Sequence, residues 1–295
     1  MKKIRDILVI MDLPKSRQLA MDRGVTLAEQ LGARLHLISF VHHDMYEQRE
    51  VFNKTQREAV REALVAERQR WLDEKLQSVS RGDIEVQAEV VWSKRLHDWV
   101  NEAVETRGFG LVLKSAHDSK TLVHTPTDWH LLRECAAPVL IATRSRWPAK
   151  ARVVAAVDPT GKDKAQTRLN DRVVKAALAF ANSHDADVHL AWTVHAPEVL
   201  ADLDIIDPRA YRKRLIDSMT PRLEKLADTH GIARGNIHTP KGRPDVALTG
   251  LAAKLKAELI VLGTTARKGV SGLLVGNTAE KVLTGARCDI LAIKP

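Results

Sequence analysis

Cysteine is nearly missing from this chain of 295 residues, with Cys135 and Cys288 the only two. Two thiols cannot build a disulfide framework, so a reducing cytoplasm is the expected compartment. Aromatic residues amount to 4%. No Lys/Arg run is interleaved with them, which argues against a nucleic-acid partner. No apolar run approaches the ~20 residues that a membrane span needs. Met1-Lys2-Lys3-Ile4-Arg5-Asp6 passes straight into an apolar strand, with no signal-peptide cleavage pattern. No Ser-His-Asp or Cys-His order stands out, and no Walker lysine is followed by Ser or Thr. His42 and His43 are adjacent, so on a strand they face opposite ways and do not chelate one ion. Cys135 and Cys288 each precede a last strand and read as small buried apolar residues.

What is present is ordinary globular composition, with 44% hydrophobic and 28% charged residues. The net charge of +9 is unevenly spread. Residues 1–147 carry 23 Lys/Arg against 21 Asp/Glu, or +2; residues 148–295 carry 23 against 16, or +7. A basic second half fits a small anionic ligand.

Strand and helix patterns alternate, and then the same order returns. Ile7-Leu8-Val9-Ile10-Met11 reads as a strand ending at Asp12, followed by a helix near 17–31 that Gly32 stops. Further strands are expected at 34–41, 84–91, 111–113 and 139–142, with helices at 55–79, 95–107 and 128–135. Val153 to Val157, ending at Asp158-Pro159, repeats the first strand 146 residues later. A helix at 170–183 and a strand at 188–194 follow. A helix after Pro208, the Lys241-Gly242-Arg243-Pro244 turn, a strand at 259–262 and a last strand at 290–293 complete the second half. The expectation is two α/β domains, 1–146 and 152–295, joined by a linker at 147–151. Each would be a Rossmann-like, mainly parallel five-stranded sheet with helices on both faces. Ligands of such sheets lie beyond the carboxyl ends of the strands, where Asp12, Asp158 and Gly263 stand.

Ile260-Val261-Leu262-Gly263-Thr264-Thr265 ends a strand in a glycine, and a loop with Arg267, Lys268 and Gly269 follows. Gly276 then opens a helix with Asn277 or Thr278 as N-cap. Strand, glycine-bearing loop and helix N-terminus in that order make an anion cradle, since unpaired N–H groups favour negative charge.

With these residues the chain resembles the universal stress protein (UspA) family, as two tandem domains over its whole length. Ligand-binding members carry Gly-x2-Gly-x9-Gly-(Ser/Thr) after the fourth strand and an Asp after the first. Gly263 and Gly276 match the first and third glycines, Asp158 matches the acid, and Gly242 resembles a Gly-x-Pro after the third strand. Ala266 and Asn277 depart from the motif. In the first half Lys114 stands where the first glycine is expected. The Thr125-Pro126-Thr127-Asp128-Trp129-His130 run resembles tandem, UspE-type members.

The resemblance implies a stress-response binding or sensor module rather than an enzyme, with at most weak ATPase activity. Its C-terminal domain would hold ATP or another adenine nucleotide, with Mg if ATP. The implied ligand residues are Asp158, Gly242, Gly263, Thr264, Arg267, Lys268, Gly269, Gly276, Asn277 and Thr278. The two halves would form a pseudo-dimer that can dimerise again. Two further readings are an interaction protein that binds no nucleotide, and a pocket retuned to a nucleotide-sugar or lipid-precursor anion. Asp12, unlike Asp158, reads as turn chemistry, and His117, His124 and His130 read as ordinary polar residues.

Overall fold

The computed structural model describes residues 4–79, 84–116, 126–143, 147–148, 150–161, 163–182, 184–196, 207–264 and 277–295; 126–129 and 277–280 are described as backbone only. These residues form two compact units that divide ahead of Trp147.

In the N-terminal unit the strands are β1 (Asp6–Ile10), β2 (Arg34–Val41), β3 (Val86–Trp92), β4 (Leu111–Ser115) and β5 (Val139–Ala142). They pair in parallel in the order β3-β2-β1-β4-β5. Helices α1 (Leu19–Leu31), α2 (Lys54–Val79), α3 (Leu96–Arg107) and α4 (Pro126–Glu134) connect them. The central strand residues Ile7, Leu8, Val9, Leu111, Val112 and Leu113 are fully buried. This is what near-continuous apolar runs achieve when both sheet faces are covered. Gly32 ends α1 in the left-handed region at φ 59°, with its N–H on Ala28 O, and Gly108 ends α3 at φ 76°.

The C-terminal unit repeats the plan. Its strands are β6 (Arg152–Ala156), β7 (Asp187–Ala191), β8 (Ile237–His238), β9 (Leu259–Gly263) and β10 (Asp289–Ile293). They pair in parallel in the order β8-β7-β6-β9-β10. The helices are α5 (Lys164–Asn182), α6 (Pro208–Thr229), α7 (Pro244–Leu255) and α8 (Asn277–Gly285). Helix α5 buries Leu169, Val173, Val174, Ala177, Phe180 and Ala181. That spacing forms one apolar stripe, and each large side chain in it contributes about 1.5–3 kcal/mol of burial.

Helices α5 and α2 depart from what the sequence predicts. Helix α5 begins six residues before Asn170 because Asp163 caps it, accepting from Gln166 N at 2.6 Å. In α2 amphipathic spacing predicts Val60, Leu64, Trp71, Leu72 and Leu76 as inward positions, but Leu72 alone is buried. The helix covers the β2–β3 edge, and Arg68 reaches through it to Ser39 Oγ at 3.1 Å and Phe40 O at 3.0 Å. Burial holds the Arg68 guanidinium below its usual range. Both cysteines are buried. No helix among the described residues is long and apolar enough to cross a membrane.

The first rungs of the two sheets carry opposite charges. Asp6 of β1 stands opposite Arg34 of β2, whereas Arg152 of β6 stands opposite Asp187 of β7. Trp147 anchors the start of the C-terminal unit: its indole N–H donates to the buried Asp289 carboxylate at 2.8 Å, and its ring lies 4.3 Å from that of His184.

Candidate functional site

Register identifies equivalent positions in the two units. Lys114 pairs with Ile10 and Ile141, as Leu262 pairs with Ala156 and Ala292. Ala116 N donates to Ala142 O at 2.7 Å, as Thr264 N donates to Ile293 O at 2.8 Å. Ser115, not Lys114, therefore holds the place of Gly263. The sequence points to Lys114 because Leu-Val-Leu-Lys aligns by eye with Ile-Val-Leu-Gly, and only the pairing reveals the one-residue offset.

Those two positions act differently. Ser115 is buried, and its hydroxyl donates to the Asp12 carboxylate while accepting from Ala20 N, in the first turn of α1, at 2.9 Å. Asp12 thus exceeds the turn role expected of it: its carboxylate bridges the ends of β1 and β4 at a helix start, where negative charge is favoured. At Gly263 a Cβ would stand 2.6 Å from Leu169 Cδ2 and 2.7 Å from Leu169 Cγ. Glycine is required there because α5 presses on the strand end, not for an unusual backbone angle.

An amide side chain holds each first-strand end in place. Gln18 Oε1 accepts from Asp12 N at 3.1 Å, and Gln18 Nε2 donates to Leu13 O and Ser16 O, both at 3.0 Å. Asn170 Oδ1 accepts from Asp158 N at 3.1 Å, and its Nδ2 donates to Asp158 O at 2.7 Å. Gln166 Nε2, at 3.0 Å, fixes the Asn170 amide. Sequence reasoning passed over Gln18 and Asn170. An Asp–amide clamp has variable spacing, six residues in one unit and twelve in the other.

The carboxylate of Asp158 stays at the exposed rim, where Oδ1 accepts from Thr160 N at 2.9 Å and Thr160 Oγ1 at 2.5 Å. Arg222, from α6, donates to Pro159 O at 2.9 Å. It brings a cation to this rim that the sequence did not single out. Across the strand ends, Val194 N donates to Pro240 O at 3.0 Å and Gly242 N returns a bond to Val194 O at 3.1 Å. Gly242 has φ 122°, a region that residues with a Cβ rarely adopt. Arg243, paired with Asp245 at 3.0 Å, follows it. Burial raises the Asp245 carboxyl, but the Arg243 bond and charge outweigh it and hold it below its usual value.

Of the expected ligand residues, Asp158, Gly242 and Gly263 stand beyond or at the carboxyl ends of β6, β7–β8 and β9, at one end of the sheet. Thr264 is buried, with its hydroxyl directed to Ile293 O at 3.4 Å. Arg267, Lys268, Gly269 and Gly276 lie outside the described residues, as do Ala266, His117 and His124. Asn277 and Thr278 begin α8, described as backbone. Elsewhere, His43 Nδ1 accepts from Met45 N at 3.2 Å and His42 packs on Trp92, with ring centroids 5.4 Å apart. His130 stacks on His97 at 4.2 Å. No cluster of three metal-ligating side chains occurs among the described residues.

The family model described as "Universal stress protein family" matches residues 3–143 and again 151–294. The chain belongs to the universal stress protein family. Universal stress protein E of Escherichia coli strain K12 is 31% identical, over 100% of this chain and 95% of that protein. The Haemophilus influenzae homolog of universal stress protein E is 29% identical, over 99% and 98%. This protein is thus a tandem universal stress protein of the UspE type. Among solved structures, a putative universal stress protein from Pseudomonas aeruginosa superimposes with a TM-score of 0.74 at 25% identity, over 99% of this chain and 94% of that one. A universal stress protein from Archaeoglobus fulgidus, at TM-score 0.69 and 14% identity, shares the fold.

Proposed function

We propose that this universal stress protein is a stress-response binding module whose C-terminal unit takes a small anionic ligand of the adenine-nucleotide type. One observation carries the reading. In the N-terminal unit the Ser115 hydroxyl draws the Asp12 carboxylate into the strand ends. In the C-terminal unit Gly263 offers no hydroxyl, and the Asp158 carboxylate remains at the exposed rim. The loop with Arg267, Lys268, Gly269 and Gly276 completes the proposed cradle, with Asn277 and Thr278 at the helix start. Arg222 adds a cation from the α6 side. If the ligand is ATP, Mg accompanies it, and the basic excess of this half favours its charge. With no general base placed among the described residues, the expected activity is binding with at most slow hydrolysis.

The turn that Thr160 makes with Asp158 supports a second reading, an interaction protein with no small ligand. Mass spectrometry of whatever co-purifies, followed by calorimetry with ATP, ADP, AMP and cyclic AMP, separates the two. The first reading expects one adenine nucleotide per chain, lost in Asp158→Ala. It fails if none of the four binds at millimolar concentration. A nucleotide-sugar or lipid-precursor anion in the extract would redirect it.

A further inference from the structure

His36 in β2 and His189 in β7 occupy the same register position, opposite Leu8 and Val154 respectively. Their surroundings differ. His36 Nε2 lies 2.9 Å from Asp6 Oδ1. His189 is buried, and its Nδ1 lies 3.0 Å from Nε2 of His238 in β8. Strand alternation puts Asp187, His189 and Ala191 on one face, and the Ala191–His238 pairing adds His238 to it. The charges facing the pair are Asp187, Arg152 of β6 and Lys254 of α7. Arg234, in the turn before β8, is engaged with Glu224 and Asp228 of α6.

A bond between two imidazoles needs one donor and one acceptor, so it exists only while the acceptor ring is neutral. His189 Nε2 is buried without a partner. A proton placed there would be a buried, unpaired N–H. The better tautomer has His189 Nδ1–H donating to His238 Nε2, an assignment made from the bonding pattern. A further proton on His238 Nε2 removes the acceptor. One on His189 Nε2 buries an unpaired charge. This edge is short: β8 spans two residues, paired at Leu190 and Ala191, and runs straight into Thr239-Pro240-Lys241-Gly242, which backbone bonds at Trp192, Val194 and Gly242 tie to β7 and its continuation.

We propose that His189 and His238 form a proton-sensitive latch. It holds β8, and with it the Lys241–Gly242 segment, on β7 while both rings are neutral, and releases that wall of the crevice on acidification. Burial lowers the affinity of both imidazoles for a proton; His238 and Arg152 lower that of His189 further against the opposing Asp187, and Lys254 lowers that of His238. A histidine whose folded value is depressed binds protons more readily once released. The latch is therefore whole above the open-state value of about pH 6.5 and weakens as pH falls below it. The opening constant grows by up to roughly 10-fold per pH unit for each histidine that takes a proton.

Amide hydrogen exchange followed by NMR between about pH 7 and 5, corrected for intrinsic rates, tests this. The reporters are the N–H groups of Trp192, Val194 and Gly242, bonded to His238 O, Pro240 O and Val194 O. Their opening constants are expected to rise roughly 10-fold or more between pH 6.5 and 5.5. Leu35 N, bonded to Glu85 O across the matching β2–β3 seam, is expected not to respond. His238→Gln keeps an acceptor that does not titrate and leaves His189 as the one titrating ring, so it is expected to respond with about half the wild-type slope. An equal slope in His238→Gln, or an equal response at Leu35, overturns the latch. Imidazole nitrogen spectra of the wild-type protein decide the matter even if that variant fails to fold: His189 is expected as the Nδ1–H tautomer at neutral pH, with both rings titrating below about pH 6.5. The opposite tautomer, or titration at or above that value, overturns the proposal. No ligand enters the measurement, so its outcome is independent of the proposed function.

Discussion

The two units share a strand order and differ in what they place where the switch point of the sheet opens. The N-terminal unit ties a serine and a carboxylate together at that point, and a helix N–H completes the knot. The C-terminal unit replaces the serine with a glycine, presses Leu169 against it and leaves the carboxylate at the rim. The same fold thus ties one strand-end carboxylate to a neighbouring strand and leaves the other at an exposed rim. Chemistry at two strand ends separates them, not topology.

Exchanging the key residues is the strongest way to break the comparison. Gly263→Val drives a branched side chain into Leu169 and is expected to destabilise the C-terminal unit by about 3 kcal/mol. Ser115→Gly loses only hydrogen bonds and is expected to cost the N-terminal unit about 1–2 kcal/mol. Denaturant unfolding monitored separately in each unit checks both, and equal losses would show that the two strand ends are packed alike. Next in size is Gly242→Ala. At φ 122° a Cβ is expected to cost about 1–2 kcal/mol and to raise exchange at the Gly242 amide, with the N-terminal unit unaffected.

Trp147→Phe keeps the ring but removes the donor to the buried Asp289 carboxylate. It is expected to cost roughly 1 kcal/mol, read as a lower midpoint of the C-terminal transition alone. The smallest effect concerns Asp6. Burial raises this carboxyl, but hydrogen bonds and charge from Arg34 and His36 outweigh it and hold its value below the ordinary one. A depressed carboxyl contributes stability above about pH 3.9 that is lost as pH falls through its folded value. Arg34 is about half exposed, with 49% of its side-chain surface accessible, so solvent screens the pair and its effect is small. Asp6→Asn is expected to flatten the acid limb of N-terminal unfolding below about pH 4 and leave the C-terminal limb as it was. A matching change in both units would mean that their acid responses are not separate.

Much of this was legible in the chain. Apolar runs ending at Asp12 and Asp158 located the first strands and the repeat, and Gly32 marked a helix end that the structure confirms. Gly242 and Gly263 stand out in the sequence, but periodicity does not distinguish their structural reasons: one has a positive φ, the other leaves space for a leucine from a distant helix. Three features escaped. The Ser115–Gly263 equivalence needed strand register. The Gln18 and Asn170 clamps have no fixed spacing. The His189–His238 contact joins residues 49 apart whose only sequence mark is an isolated histidine in each strand. Helix α2 misled because amphipathic spacing predicts a buried face, whereas its long polar side chains lie along the sheet edge.

The reversed charges on the first rungs bear on how the chain reaches this structure at all. Two copies of one fold on a single polypeptide can exchange strands while folding, since each edge accepts the other's partner. A β1–β7 pairing in native register would set Asp6 against Asp187, and a β6–β2 pairing would set Arg152 against Arg34. Like charges directly opposed on neighbouring strands repel. The charge order on the first rung therefore disfavours pairing with the sister repeat.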